Sequence, residues 1–515
     1  MKKLPIGITT FADIVDPRQN YVYVDKTHIA YDLIENGKYY FLSRPRRFGK
    51  SLFIDTLAEI FKGHQSLFTG LSIHQKWDWK TSYPVIHIDF NTGDFSTKQG
   101  LQQRIAHLFS SIKKTHHVDC DDSNDISRCF SELIEAIQQK YQQKVVILID
   151  EYDKPILDNI TDKPQAREAR DLLRIFYGVI KSNDRYLKFV FITGVSKFSK
   201  MHLFSGLNNL EDITMKSDYA TICGYTHEDL QLEFKDHLHN VDLNKVKQWY
   251  NGYCYFGEPV YNPYDILLFC SNHGQFENYW WETGNPRFLI DTLKEQHYYI
   301  PNLENIVVSK EILNIFDVDK IDLVALLWQT GYLTFDKKIL NFDDTYSYKL
   351  KIPNREIQKS LNQLFIQYLT DHGAESLSTQ ENIYQSLTGD IGELKSTLNA
   401  LFAAIPYNNY ANNVIANYEG YYSSVVFTYI SSLGFPCIAE DATNTGRIDL
   451  TIQLPERIII IEFKVDQKER ALQQIQRKRY FEKYLHQNKT VFIVGICFDS
   501  ENKNISEFEY QQISE

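Results

Sequence analysis

The sequence lacks any apolar run of the roughly eighteen residues that a membrane-spanning helix requires, which excludes a helical membrane protein. Met1-Lys2-Lys3-Leu4-Pro5 leads into no apolar stretch of the signal-peptide kind, so a cytoplasmic location is expected. It has no C-x-x-C pair, and its 7 cysteines are odd in number and scattered singly. That argues against a zinc site or a disulfide frame and for a reducing compartment. Positive charge is in deficit: 55 Lys and Arg against 66 Asp and Glu leave a net charge of −11. Overall attraction therefore cannot drive nucleic-acid binding, and any such contact must come from local basic patches. No internal repeat or low-complexity tract interrupts the chain. What is present is ordinary globular material, 43% hydrophobic and rich in Tyr (34) and Phe (32). At 515 residues it exceeds a single core and predicts about three domains.

The most informative stretch runs from Gly446 to Lys464. Gly446-Arg447-Ile448-Asp449 opens one strand, Leu454-Pro455-Glu456 turns, and Ile458 to Ile461 is a β-branched run that favours a buried strand. Alternation puts Glu462 and Lys464 on one face and Phe463 on the other. If the two strands pair, Asp449 meets Glu462 at one edge of the sheet. Two such carboxylates repel unless a cation sits between them, and hard oxygen ligands suit Mg²⁺ or Mn²⁺. A neighbouring Lys464 can orient water or stabilise charge developing on a phosphate. The same residues stand equally as a solvated Asp and a Glu/Lys pair on a plain hairpin, so their surroundings must decide.

Asp449 followed by Glu462-Phe463-Lys464 resembles the Asp…Glu-x-Lys core of the PD-(D/E)XK nuclease superfamily. The resemblance implies metal-dependent phosphodiester hydrolysis, with Asp449 and Glu462 as metal ligands and Lys464 beside them. Glu419, on the preceding helix, matches the place of an outer ligand, and a first-turn acid favoured by the helix dipole explains it as well. The order helix, three strands, helix, strand fits the superfamily. Ala471 to Tyr480 is similar to its Gln/Tyr helix, but six residues turn a helix by roughly 600°, which separates Gln474 from Tyr480. Gln474 and Lys478 are therefore expected near the site; Gln476 with Tyr480 is the other pair at that spacing. Arg477-Lys478-Arg479 is the best local candidate for a phosphate-backbone contact.

Near the N-terminus, Tyr39 to Leu42 reads as a strand, Ser43 to Ser51 as a loop ending in Gly49-Lys50-Ser51, and Leu52 to Phe61 as an amphipathic helix. That is the context of a phosphate-binding P-loop. Lys50 would reach the β/γ-phosphates and Ser51 would hold Mg²⁺. Arg44 stands where the usual first glycine falls. Lys144 to Glu151 reads as a buried strand ending in two acids. Asp150 would hold the Mg²⁺ through water, and Glu151 would polarise the attacking water. Leu187 to Ser196 is a further strand, and Thr193 lies where a γ-phosphate sensor would sit. Strands alternating with helices predict a parallel sheet with ATP at its C-terminal ends.

Arg44-Pro45-Arg46-Arg47-Phe48-Gly49-Lys50-Ser51, Tyr23 to Thr27 and Ile149 to Pro155 together resemble an AAA-ATPase-like family found fused to a PD-(D/E)XK nuclease. Arg44 is normal there. The resemblance implies that Arg44, Arg47, Phe48 and Gly49 join Lys50 and Ser51 around the nucleotide, with Arg46 and Arg47 standing equally as a solvated basic loop.

The fold class expected is α/β: an N-terminal P-loop ATPase with a parallel sheet (1–222), a helical, winged-helix-like middle (223–375) and a C-terminal PD-(D/E)XK-type α/β domain (376–515). In the middle, Trp249–Gly257, Tyr261–Tyr264 and Tyr279–Pro286 read as core aromatics around turns, and Ser376–Ser396 as a polar linker. ATP and Mg²⁺ (or Mn²⁺ at the nuclease site) are the expected cofactors. Nucleic acid, DNA being the first candidate, is the expected partner, with no membrane and with a homo-oligomer open. The function read is ATP binding and hydrolysis with metal-dependent nuclease action. The alternative is an ATP-controlled switch or partner-binding protein with an unused nuclease fold.

Overall fold

A computed structural model describes residues 1–121, 125–197, 203, 204, 206–280, 300, 303, 306–314, 316–370, 376–405, 419–466 and 470–513. Contacts gather the chain into two units, Met1–Gly284 with Val307–Lys349, and Asn285–Ile306 with Leu350–Glu515. The segment 223–375, read from the sequence as one connector, is distributed over both.

The first unit is built on β1 (Tyr39–Ser43), α1 (Lys50–Lys62), β2 (Val85–Asp89), α2 (Lys98–His116), α3 (Ile126–Tyr141), β3 (Val145–Asp150), α4 (Lys163–Ser182), β4 (Leu187–Gly194) and β5 (Glu211–Asp212). The five strands form one parallel sheet in the order β2-β3-β4-β1-β5. Every residue of β1 and β3 is buried, which is why both read as unbroken apolar runs with no alternation. β1 and β3 end next to β4, so the loop after β1 and the acids after β3 meet at one edge. Side-chain caps set the helix starts: Asp125 accepts from Ser127 and Arg128 N–H before α3, and Asp162 from Gln165 N–H before α4.

Further along lie the hairpin β6 (Asn251–Tyr253) and β7 (Val260–Tyr261), then α5 (Pro263–Ser271). Tyr253, Tyr255 and Tyr261 are buried, as expected of core aromatics. Of the Tyr279–Pro286 segment, residues 281–286 lie outside the described residues. β8 (Val307–Ser309), α6 (Lys310–Asn314), the short hairpin β9 (Phe316–Asp317) and β10 (Lys320–Ile321), α7 (Leu323–Thr330), β11 (Thr334–Leu340) and β12 (Tyr346–Lys351) follow. The sheet β11-β12-β8 lies in the same stretch as the helices α6 and α7. Gly331, in the left-handed region at φ 93°, ends α7 and admits the turn into β11.

The second unit contains α8 (Arg355–Thr370), α9 (Ser376–Thr388), α10 (Leu394–Ala404), α11 (Glu419–Ser432), β13 (Cys437–Ala442), β14 (Arg447–Gln453), β15 (Arg457–Val465), α12 (Ala471–Lys478), β16 (Thr490–Asp499) and β17 (Asn504–Ile513). The linker expected at Ser376–Ser396 is instead helical. Ile383, Leu387, Ile391, Leu394 and Leu398 fall three or four apart and are all buried, a stripe that the surrounding polar residues mask. The expected order helix, three strands, helix, strand is present, with β17 added as an antiparallel edge strand beside β16.

One cysteine expectation fails. Cys120 and Cys129 are joined as a disulfide, because the return from α2 into α3 brings their Cα atoms to 5.2 Å. It is a single local bridge across 9 residues, and the other five cysteines are free. Among the described residues no helix is long and apolar enough to cross a membrane.

α12 lies on β15 and β16 where Gly495 stands opposite Glu462. A Cβ at Gly495 would come within 2.3 Å of the Leu472 backbone nitrogen. Gly495→Ala should therefore destabilise the second unit by about 1–3 kcal/mol through overpacking, measured by equilibrium denaturation against wild type.

Candidate active sites

Antiparallel pairing of β14 with β15 sets Leu450 against Ile461 and Thr451 against Ile460. One step further along that ladder, Asp449 closes it with its side chain: Oδ2 accepts the Phe463 N–H at 2.7 Å. Glu462 is buried beside it. Its Oε1 lies 3.5 Å from Lys464 Nζ and accepts from Gln474 Nε2, while its Oε2 has no hydrogen-bond partner among the described residues. Lys464 Nζ also lies 3.8 Å from Glu419 Oε2, at the start of α11. Burial pushes the Asp449 carboxyl up to about 7, against the Phe463 N–H, and nearby Glu419 adds to the rise. Burial likewise raises Glu462 to about 8, with Asp449 as the next cause. Burial alone would lower Lys464, but Glu419, Glu462 and Asp449 outweigh it and hold the ammonium above its ordinary range. Glu419 is raised by burial, and Lys464 opposes that shift.

The residues expected here separate. Gln474 reaches Glu462. Lys478 does not: its ammonium donates to the Thr445 carbonyl at 3.1 Å and holds the turn before β14. Gln476 pairs with Gln511 on β17. Tyr480, which a continuous helix would carry to another face, lies in the site and hydrogen-bonds Gln474. The reason is that α12 stops at Lys478, Arg479 turns left-handed at φ 52°, and a 3-10 helix begins at Tyr480. The 600° rotation therefore never accumulates. In the basic run, Arg479 is paired with Glu482 at 2.6 Å.

Among the described residues no three His, Cys, Asp or Glu side chains converge as a ready metal cage. The donor set nevertheless fits Mg²⁺ or Mn²⁺, since Mg²⁺ is commonly held by one or two carboxylates and keeps several waters. Glu462 Oε2, buried and unpartnered, is the atom such an ion would satisfy.

At the parallel sheet, a cavity of about 560 Å³ is lined by Arg46, Arg47, Gly49, Lys50 and Ser51 together with Pro5, Ile8, Tyr225, Pro263 and Tyr264. Gly49 (φ 90°) and Arg47 (φ 62°) are left-handed, curling the loop so that α1 begins at Lys50. Lys50 Nζ donates to the Arg44 and Pro45 carbonyls at 3.2 and 3.0 Å and lies 3.8 Å from Glu151 Oε1. Burial raises Asp150 to about 6, Glu151 adds to it, and a hydrogen bond from Ser51 works against it.

Arg47 lines the cavity with its guanidinium stacked 4.0 Å over the Tyr264 ring. Arg44 corrects the expectation of a phosphate contact. It is fully buried, donates to the Ser43, Thr214 and Tyr219 carbonyls, and stacks 3.6 Å over Tyr255. Phe48 is likewise a core residue, edge-on to Tyr253. Thr193 is buried with an unpartnered hydroxyl and does not line the cavity. Asn91, two residues past β2, lines it and carried no motif. Asp153 was legible only through the family string. It lies under Gly194, where a Cβ would come 2.2 Å from its Oδ1, and it accepts the Val195 and Ser196 N–H groups.

The raised carboxyls of Asp449 and Glu462 give a signed prediction. Folding favours their protonated forms, so that contribution is full below the ordinary carboxylate range and is lost as pH rises through about 7 to 8. Without divalent metal, the second unit should melt lower at pH 8.5 than at pH 6, each kcal/mol moving the midpoint by about 2–4 °C. Glu462→Gln should flatten that loss, as scanning calorimetry would show.

The family model described as "Predicted AAA-ATPase" matches residues 5–204, and the model described as "PD-(D/E)XK nuclease superfamily" matches 417–508. Among solved structures, the Aeropyrum pernix ORC1 protein in complex with DNA aligns over 68% of this chain and 96% of that one, at 10% identity and a TM-score of 0.27. That likeness carries no argument. A protein of Azotobacter chroococcum mcd 1, named "Uncharacterized protein in vnfD 5'region", is 42% identical over 99% of both chains. With a relative matching from end to end and both domain models in place, the chain belongs to the predicted AAA-ATPases that carry a C-terminal PD-(D/E)XK nuclease superfamily domain.

Proposed function

We propose that this protein binds and hydrolyses ATP at the end of its parallel sheet and cuts phosphodiester bonds in nucleic acid with the β14–β15 carboxylates. The observation that carries the reading is Glu462 Oε2. It is a buried carboxylate oxygen with no partner among the described residues, beside the half-buried Asp449 carboxylate and 3.5 Å (through Oε1) from a lysine. Structural ion pairs satisfy their oxygens; an unsatisfied one amid raised carboxyls marks a place where a cation and substrate complete the set.

Asp449 and Glu462 would hold Mg²⁺ or Mn²⁺, with Glu419 reaching it through water. The ion supplies Lewis acidity and lowers the pKa of a bound water. Lys464 orients that water or neutralises charge growing on the phosphate. Gln474 fixes the rotamer of Glu462. Lys478 acts one step away, by holding the turn before β14. In the ATPase unit, Lys50 leaves the loop carbonyls for the β/γ-phosphates, and Ser51 with Asp150 would hold Mg²⁺. Glu151 orients the attacking water. Arg46 and Arg47 add positive charge at the cavity, and Arg44 stabilises the loop from beneath.

The test is cleavage of duplex DNA, single-stranded DNA and RNA with Mn²⁺ or Mg²⁺, with and without ATP. Wild type should cut at least one of them, and Asp449→Ala should lower the rate by about 100-fold or more, the scale of losing one charge-stabilising group. Lys50→Ala should abolish phosphate release from ATP. ATP hydrolysis without any cutting would favour a switch with an unused nuclease fold.

A further inference from the structure

The AAA-ATPase match ends at residue 204, yet the phosphate loop is held in part by residues more than a hundred positions later. α7 ends at Gln329–Gly331, between the phosphate loop and the residues just past β4. Gln329 is buried; its Oε1 accepts the Lys197 N–H at 2.9 Å, just past β4, and its Nε2 donates to the Leu313 carbonyl. Gly331 lies directly against the loop. A Cβ there would come 2.8 Å from Pro45 Cγ, so only a glycine lets the Pro45 ring sit this close to the end of α7. From Gly331 the chain runs into β11, where Thr334 exchanges hydrogen bonds with both backbone groups of Cys254. Phe335 packs on Phe256 and Trp328. The β11–β12 hairpin is thus anchored at its base, while Leu340 and Phe342 near its tip are exposed.

Lys50 supplies the reason this contact would respond to nucleotide. Its ammonium is committed to the carbonyls of Arg44 and Pro45, the residue that abuts Gly331. A phosphate competes for the same donor, so the Pro45 carbonyl loses its partner when the phosphate gains one. That is a differential interaction between two states, which a ligand must have to shift an equilibrium. From this geometry we infer that Gln329–Gly331 is a positioning element of the nucleotide site. It holds the phosphate loop and the end of β4 in register and passes loop release to the β11–β12 hairpin. The inference rests on the ATP-site reading, and its test separates the two.

Hydrogen exchange of the full chain, with and without saturating ATP and Mg²⁺, reads it out, alongside a calorimetric ATP isotherm on the same sample. In wild type, ATP should speed exchange of amides in 331–340 by about 2- to 30-fold, the range of a residue-scale coupling. The change should be absent in Lys50→Ala, kept in Gln329→Glu, which retains the acceptor oxygen, and lost in Gln329→Ala at saturating ATP. A role limited to fold stability would raise exchange in Gln329→Ala without ATP and leave the response to ATP intact. Unchanged or slower exchange in ATP-bound wild type overturns the proposal, as does a wild-type response in Gln329→Ala. If Gln329→Ala does not fold, wild type and Gln329→Glu still decide. A flat isotherm overturns the nucleotide reading and this inference with it, whereas an ordinary isotherm with an unresponsive hairpin overturns this inference alone.

Discussion

Burying a charge without a partner costs several kcal/mol, and burying two like charges side by side costs more still. This chain instead sets carboxyls close together at strand ends with a lysine beside each set. Asp449 and Glu462 share one sheet edge with Lys464, and Lys50, Asp150 and Glu151 share another. Each arrangement persists because the rigid sheet around it leaves the side chains nowhere else to go. In the second unit, continuous pairing of β15 with β16 fixes Glu462, and the antiparallel register of β14 fixes Asp449. In the first, the parallel sheet brings the loop after β1 and the acids after β3 to one edge.

The same constraint explains which parts were legible in the sequence. Runs such as Val145–Ile149 and Ile458–Ile461 favour buried strands, so the acids after them could be placed without a structure. Gly49-Lys50-Ser51 is a local string, and its geometry follows from three neighbouring residues. The Asp449–Glu462 meeting was conditional on the two strands pairing, and the register that realises it, Leu450 against Ile461, is a fact of the fold.

What stayed hidden depended on long-range packing or on backbone conformation. Arg44 belongs to a basic string, and nothing local says that its guanidinium turns inward to carbonyls at 214 and 219 and a ring at 255. Tyr480 stayed undecided because the periodicity argument assumes an unbroken helix, which one left-handed residue, Arg479, interrupts. Asn91 follows β2 with no motif at all, and the apolar stripe of α9 and α10 is sparse enough to pass for a linker. Gln329 and Gly331 gave only a helix capped by glycine; that the cap abuts Pro45 is a fact of tertiary structure.

The central claim is that Asp449 and Glu462, whose carboxyls burial raises above their ordinary range, take a divalent cation. Calorimetric titration of Mn²⁺ into the full chain near neutral pH, in two buffers of different ionisation enthalpy, tests it most directly. Metal must displace protons from raised carboxyls, so binding should release protons, tighten as pH rises, and vanish in Glu462→Gln. No binding, or binding without proton release that survives Glu462→Gln, would contradict the account.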